Sequence, residues 1–154
     1  MQWHPEDRDN QILGEWNDED CETLRPYICS MPYKPELTPS SMPNKNKCPE
    51  GWTSYNFDCY KFYYQNVTHE VASETCATDG KEFTEYNGHL ATLKSIYENF
   101  FQVSFFGSDQ TNRFPPVFIW LGLIRNEDTL GWENEFHLGK FSKLSTIIFN
   151  CVKL

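Results

Sequence analysis

The sequence predicts an α+β fold. Three observations carry that reading: an aromatic-rich composition, a period-2 run that ends at Tyr64, and a well-marked helix start at Ser95. Of the 154 residues, 39% are hydrophobic and 16% aromatic, more apolar material than a disordered chain carries. The ring surplus (five Trp, eight Tyr, twelve Phe) favours pleated surfaces with many loops over a helical bundle.

Taken in order, residues 25–29 read as a short strand leading out of a module. Residues 31–47 then carry Pro32, Pro35, Pro39 and Pro43. Proline at that spacing opposes helix and sheet pairing and favours an extended linker. The alternative is a surface loop within one domain, but loops beyond about 12–15 residues are uncommon there. Residues 48–64 read as a hairpin, with strands at 52–55 and 59–64 and a turn at Asn56, Phe57 and Asp58. Tyr60, Phe62 and Tyr64 alternate with Lys61 and Tyr63, the pattern of a strand with two different faces.

Two helices follow. Thr68 is placed to cap a helix over 69–78, with Ala72 and Cys76 one turn apart on one face. Ser95 and Glu98 form a capping box, in which hydroxyl and carboxylate satisfy each other's backbone donors. Behind it, Ile96, Phe100 and Val103 lie at helical spacing and are expected to face the core. Pro115 and Pro116 end any helix, and residues 117–121 read as a buried central strand.

Net charge is −9, and residues 1–30 hold −6 of it from eight acids and two bases. No basic stripe is present, which excludes nucleic acid as an expected partner. The acids between Glu15 and Glu22 suit either a hard cation or a solvated turn. Cysteines stand at 21, 29, 48, 59, 76 and 151 without a CxxC pair, and no histidine has zinc-ligand spacing to them. Asn66-Val67-Thr68 is a glycosylation acceptor sequence and, with six cysteines, indicates an oxidising compartment. No export signal opens the chain, so further chain is expected before Met1. No apolar run approaches the ~20 residues that span a bilayer, so no direct membrane insertion is expected.

Cys48-Pro49-Glu50-Gly51-Trp52 with Cys59-Tyr60 resembles the opening of a long-form C-type lectin-like domain. In order, Cys76, Gly88-His89-Leu90-Ala91-Thr92, Ser95-x-x-Glu98-Asn99 and Phe118-Ile119-Trp120-Leu121-Gly122-Leu123 continue the resemblance, the last being similar to the family's WIGL strand. The front of the chain is similar to the end of the same domain type. Trp16-Asn17-Asp18 with Cys21 resembles the WND segment, and Arg25-Pro26-Tyr27-Ile28-Cys29 the final strand. The resemblance implies a C-type lectin-like fold, two helices packed on small antiparallel sheets, incomplete in the long-loop region. It also implies tandem domains, as in macrophage mannose receptor-like receptors: 1–30 the tail of a first domain, 31–47 the linker, 48–136 the front of a second, and 137–154 a divergent tail.

Carried over, that resemblance implies a non-enzymatic carbohydrate-binding module, secreted or in a receptor ectodomain, with glycans or glycoproteins as partners. Its cofactor is Ca²⁺, with Asn17 and Asp18 as ligands; the sugar-selecting tripeptide is absent, so calcium is expected in the intact parent and not in this chain alone. The competing readings are turn chemistry for Asn17 and Asp18, and a calcium-independent protein-binding domain. Trp16, Trp52 and Trp120 are expected in the core with Gly122, and His89 as a structural histidine. No G-x-S-x-G, P-loop or HExxH motif suggests catalysis. Cys48–Cys59 is the hairpin disulfide that family and short loop both imply. In the family Cys76 pairs with the last cysteine of its own domain, which is lacking here, and Cys29 lacks its own helix cysteine. A Cys29–Cys76 bond is therefore expected, with residues 10–30 docked on 48–123 as a permuted domain, while Cys21 is expected to stay unpaired because its family partner lies in the missing loop.

Overall fold

The computed structural model describes residues 17–32, 48–81, 88–108, 118–126, 129–132 and 151–153. Trp16, Pro115, Pro116 and most of the divergent tail lie outside them. The elements in chain order are β1 (Asn17–Glu19), β2 (Arg25–Pro32), β3 (Thr53–Tyr55), β4 (Asp58–Val67), α1 (His69–Lys81), β5 (His89–Leu90), α2 (Ile96–Ser108), β6 (Trp120–Asn126), β7 (Thr129–Trp132) and β8 (Cys151–Lys153). All strands join one sheet of order β1-β8-β6-β2-β4-β3, with β5 against β2 and β7 against β6. It is an α+β fold of the C-type lectin-like kind.

β2 sits at the centre of this sheet. It runs antiparallel to β4, from Arg25↔Val67 to Pro32↔Asp58, and parallel to β6 at Tyr27↔Trp120. Residues before and after the proline-rich segment therefore share one sheet. The strand runs two residues into the stretch read as linker, because Met31 is buried and Pro32 ends the strand, where its missing N–H costs least. The tail also supplies a strand: β8 lies between β1 and β6, with Glu19↔Cys151 and Trp120↔Lys153 in register.

Alternation along the strands divides the core into two clusters. Ile28, Tyr60, Leu93, Ile119, Leu121 and Leu123 fill one, against Phe62 and Phe101. Tyr27, Cys29, Met31, Trp52, Cys59, Leu90 and Trp120 fill the other, with Ala72 and Cys76 of α1. Neighbours in sequence such as Tyr27 and Ile28, or Ile119 and Trp120, fall in different clusters, as a pleat of period two requires.

The hairpin β3–β4 closes through Asn56 and Phe57, at φ 47° and 67°, between the paired residues Tyr55 and Asp58. Two successive positive φ angles twist a two-residue loop the way the strands twist. α1 starts at the expected cap, with Val71 N–H donating to Thr68 Oγ1 at 3.4 Å, and runs to Lys81. At α2, Glu98 N–H donates to Ser95 Oγ at 3.2 Å. The other arm of the cap differs from expectation: the Glu98 carboxylate accepts from Lys94 N–H, 2.6 Å, one residue before the cap.

The α2 face is the clear departure from sequence. Ile96 and Phe100, expected inward, are exposed, while Glu98, Asn99 and Gln102 are buried. The hairpin tip explains it. Asn56 Nδ2 donates to Glu98 Oε1 at 3.2 Å, and Tyr55 stacks on Phe101 at 4.1 Å, so β3–β4 covers the capping face of α2.

Candidate recognition site

Asn17 and Asp18 lie on β1, opposite Lys153 and Val152 of β8 at the sheet edge. The acidic run that follows is largely committed to local structure. Arg25 grips Glu19 with two hydrogen bonds, Nε to Oε2 at 2.9 Å and Nη2 to Oε1 at 2.7 Å. Asp20 Oδ1 accepts from Glu22 N–H at 3.1 Å, and its carbonyl accepts from Thr23 N–H at 3.0 Å. That is an Asx-type turn. The Cys21 carbonyl accepts from His69 N–H at 3.0 Å, which ties the turn to the start of α1. Cys21 is disulfide-bonded, which corrects the expectation that it stays unpaired.

Calcium takes about six to eight oxygens. With Glu19 held by Arg25 and Asp20 by its own turn, the described residues fall short of that shell, and among them no three His, Cys, Asp or Glu side chains converge on one point.

The scaffold behind this edge is rigid. Cys29 and Cys76 are joined at 1.96 Å, with Cα atoms 5.2 Å apart, and Cys48 and Cys59 at 1.98 Å. Trp120 is fully buried and donates from Nε1 to the Val67 carbonyl at 3.0 Å, while Trp52 is buried in the same cluster. Gly122 meets β5 so closely that a Cβ would stand 2.7 Å from the Leu90 carbonyl oxygen. At Gly88 the same atom would stand 2.3 Å from the Cys76 carbonyl oxygen. These two glycines let β6 and the entry to β5 approach their neighbours at backbone distance.

Buried His69 and half-buried His89 are both held by backbone carbonyls. His69 Nε2 lies 2.9 Å from the Leu121 carbonyl, and His89 Nδ1 lies 2.8 Å from that of Leu90. A carbonyl can only accept, so each of these nitrogens carries the proton. Burial holds both imidazoles below their ordinary pKa, with the carbonyl contact opposing it. Beside α1, Lys61 and Tyr63 both donate to Asp79. Burial alone would raise the Asp79 carboxyl, but these two donors outweigh it and hold it below its usual range. Tyr63, desolvated and beside that carboxylate, is pushed up to about 12.

A second surface lies at the opposite edge of the sheet, and sequence reasoning did not find it. Phe57 is 76% exposed at the hairpin tip, and Tyr97 and Phe100 on α2 are 72% and 54% exposed. The Asn56–Glu98 hydrogen bond joins the two elements that carry these rings. The spacing of α2 showed a helix but not which face would be covered. Asn66, the glycosylation candidate, is exposed near the end of β4.

Comparison with known proteins matches this scaffold to lectin-like chains. Over 89 residues the chain is 36% identical to the snaclec crotocetin of Crotalus durissus terrificus, covering 56% of this chain and 54% of that protein. Over 82 residues it is 36% identical to an alpha-N-acetylgalactosamine-specific lectin of Patiria pectinifera, covering 50% of this chain and 45% of the lectin. The human secretory phospholipase A2 receptor matches at 26% over 140 residues, 87% of this chain but 8% of the receptor.

These matches support a C-type lectin-like domain in the chain.

No family model matches it, and no solved structure does. The C-type lectin-like chain spans about half the length of the snaclec and the lectin that it matches. No helix among its described residues is long and apolar enough to cross a membrane.

Proposed function

We propose that this C-type lectin-like chain is a non-enzymatic recognition module that binds carbohydrate, as part of a secreted protein or a receptor ectodomain. The single observation that carries the reading is the Asn17-Asp18 pair on β1, set at the sheet edge beside Glu19 and Asp20, whose carboxylates are already engaged. The 36% match to a lectin named for a sugar supports it. In the intact protein, Asn17 and Asp18 supply two donors of a calcium shell completed from outside the described residues, with glycans or glycoproteins as partners. In a longer chain, 1–30 and 48–136 belong to successive domains joined by the linker. The receptor match supports that arrangement, because it runs through both parts in one collinear stretch.

The second reading is calcium-independent protein recognition, favoured by the exposed rings Phe57, Tyr97 and Phe100. Relatives named as a snaclec and as a receptor for a phospholipase support it. A glycan array probed with the parent protein, with calcium and with EDTA, separates the two. Sugar binding abolished by EDTA and by D18A supports the first; binding to protein alone, unchanged by EDTA and lost in Y97S, overturns it.

A further inference from the structure

We propose that Asn66 is an N-glycan attachment site whose first sugar rests on the Tyr64 ring. Asn66-Val67-Thr68 is the only Asn-x-Ser/Thr tripeptide in the 154 residues. The structure places it where an attached sugar has room. Between the pairs Tyr27↔Tyr63 and Arg25↔Val67, β4 has more residues than β2, and the surplus falls at 64–66. Pro26, on the β2 side of this irregularity, has no N–H to offer a ladder bond. The β4 strand therefore bulges, and Tyr64, Gln65 and Asn66 are all exposed, three in succession where a regular strand would turn alternate side chains inward. On either side the strand is anchored, by Tyr63 and Val67 against the cluster under α1. A glycan on Asn66 displaces nothing from the core.

Tyr64 supplies the second half of the inference. Its ring is held edge-on against Phe62, centroids 4.5 Å apart, yet 46% of the residue is exposed. An anchored, half-exposed ring two residues before the attachment point gives the apolar face of a sugar a surface to lie on. Ordering is already done by Phe62, so little freedom is lost when the sugar settles. The position also borders the acidic turn, since Val67 pairs with Arg25 and His69 N–H donates to the Cys21 carbonyl.

The donor required is an oligosaccharide carried on a lipid diphosphate. The Asn66 amide nitrogen forms a bond to the anomeric carbon, and the bond from that carbon to the diphosphate oxygen breaks. The diphosphate leaves with the electron pair, and the amide proton passes to a base of the transferring enzyme. This chemistry needs the secretory route that the disulfides also need, and it is independent of what the domain binds.

The test is to secrete the whole chain from a eukaryotic host and read its intact mass before and after peptide-N-glycosidase treatment. The expected result is a glycan-sized mass shift that the enzyme removes and that N66Q abolishes. A secreted chain that is bare at Asn66 overturns the site. Y64S then tests the ring: a lower glycosylated fraction, and loss of the rise in Tm that the glycan confers on the parent, are expected. Equal occupancy and an equal rise in Tm with and without the Tyr64 ring overturn its role. Thr68 is left intact, because it caps α1.

Discussion

The two helices of this domain bury opposite chemistries at the same spacing. α1 turns His69, Ala72, Cys76 and Gly80 inward, small or neutral groups that let it lie close to β2 and carry a disulfide. α2 turns Glu98, Asn99 and Gln102 inward and leaves Ile96, Tyr97 and Phe100 in solvent. Each inward set repeats at three- and four-residue steps, so helical geometry is served equally well by both. The difference teaches that a helix buries whichever face its neighbours cover. The hairpin tip covers the cap of α2, and the cap is polar.

The largest effect should come from the α1 side. C76S should cost about 2–5 kcal/mol, the usual loss for a native disulfide, here one that closes 47 residues of separation and is fully buried at both ends. Urea unfolding should show the midpoint shift. A loss near zero would mean that α1 is held by packing alone.

On α2, the amide nitrogen and oxygen of Gln102 are buried without a hydrogen-bond partner among the described residues. Replacing the side chain by one of similar size removes that desolvation penalty, so Q102L should stabilise by roughly 1–3 kcal/mol. Thermal unfolding with a lowered Tm would show instead that the amide is satisfied and the polar face is needed.

Acidification probes the start of α1 and β5. His69 and His89 have folded pKa values below the ordinary 6.5, so the unfolded chain takes up protons that the folded chain refuses. Their contribution is present in full above pH 6.5 and lost as pH falls through the folded values. The urea midpoint should therefore drop between pH 7 and pH 5, and H69Q should flatten part of that slope. A pH-independent midpoint would place both rings in contact with solvent.

The smallest effect belongs to the exposed face of α2: F100S should change stability by no more than about 0.5 kcal/mol. A larger loss would mean that the ring is covered after all.

Much of the fold was legible in the sequence, because it rests on local signals. Thr68 and Ser95 marked the helix starts, alternation from Tyr60 to Tyr64 marked β4, and Asn56-Phe57 marked the turn. What resisted reading depends on distant contacts. Nothing near Ile96 says that a hairpin tip 40 residues earlier will take the opposite face of its helix. Nor does the tail around Cys151 announce that it will pair with β1 at the other end of the chain. The candidate site was legible only as residue types: Asn17 and Asp18 could be named, but the engagement of Glu19 by Arg25 and of Asp20 by its turn is a tertiary fact.

The account stands on residues 17–32 closing the sheet formed by the chain that follows the linker. A non-reducing peptide map of the chain secreted under oxidising conditions tests that directly. It should yield a Cys29–Cys76 peptide pair alongside Cys48–Cys59. Free thiols at Cys29 and Cys76, or links from either to another molecule, would contradict it.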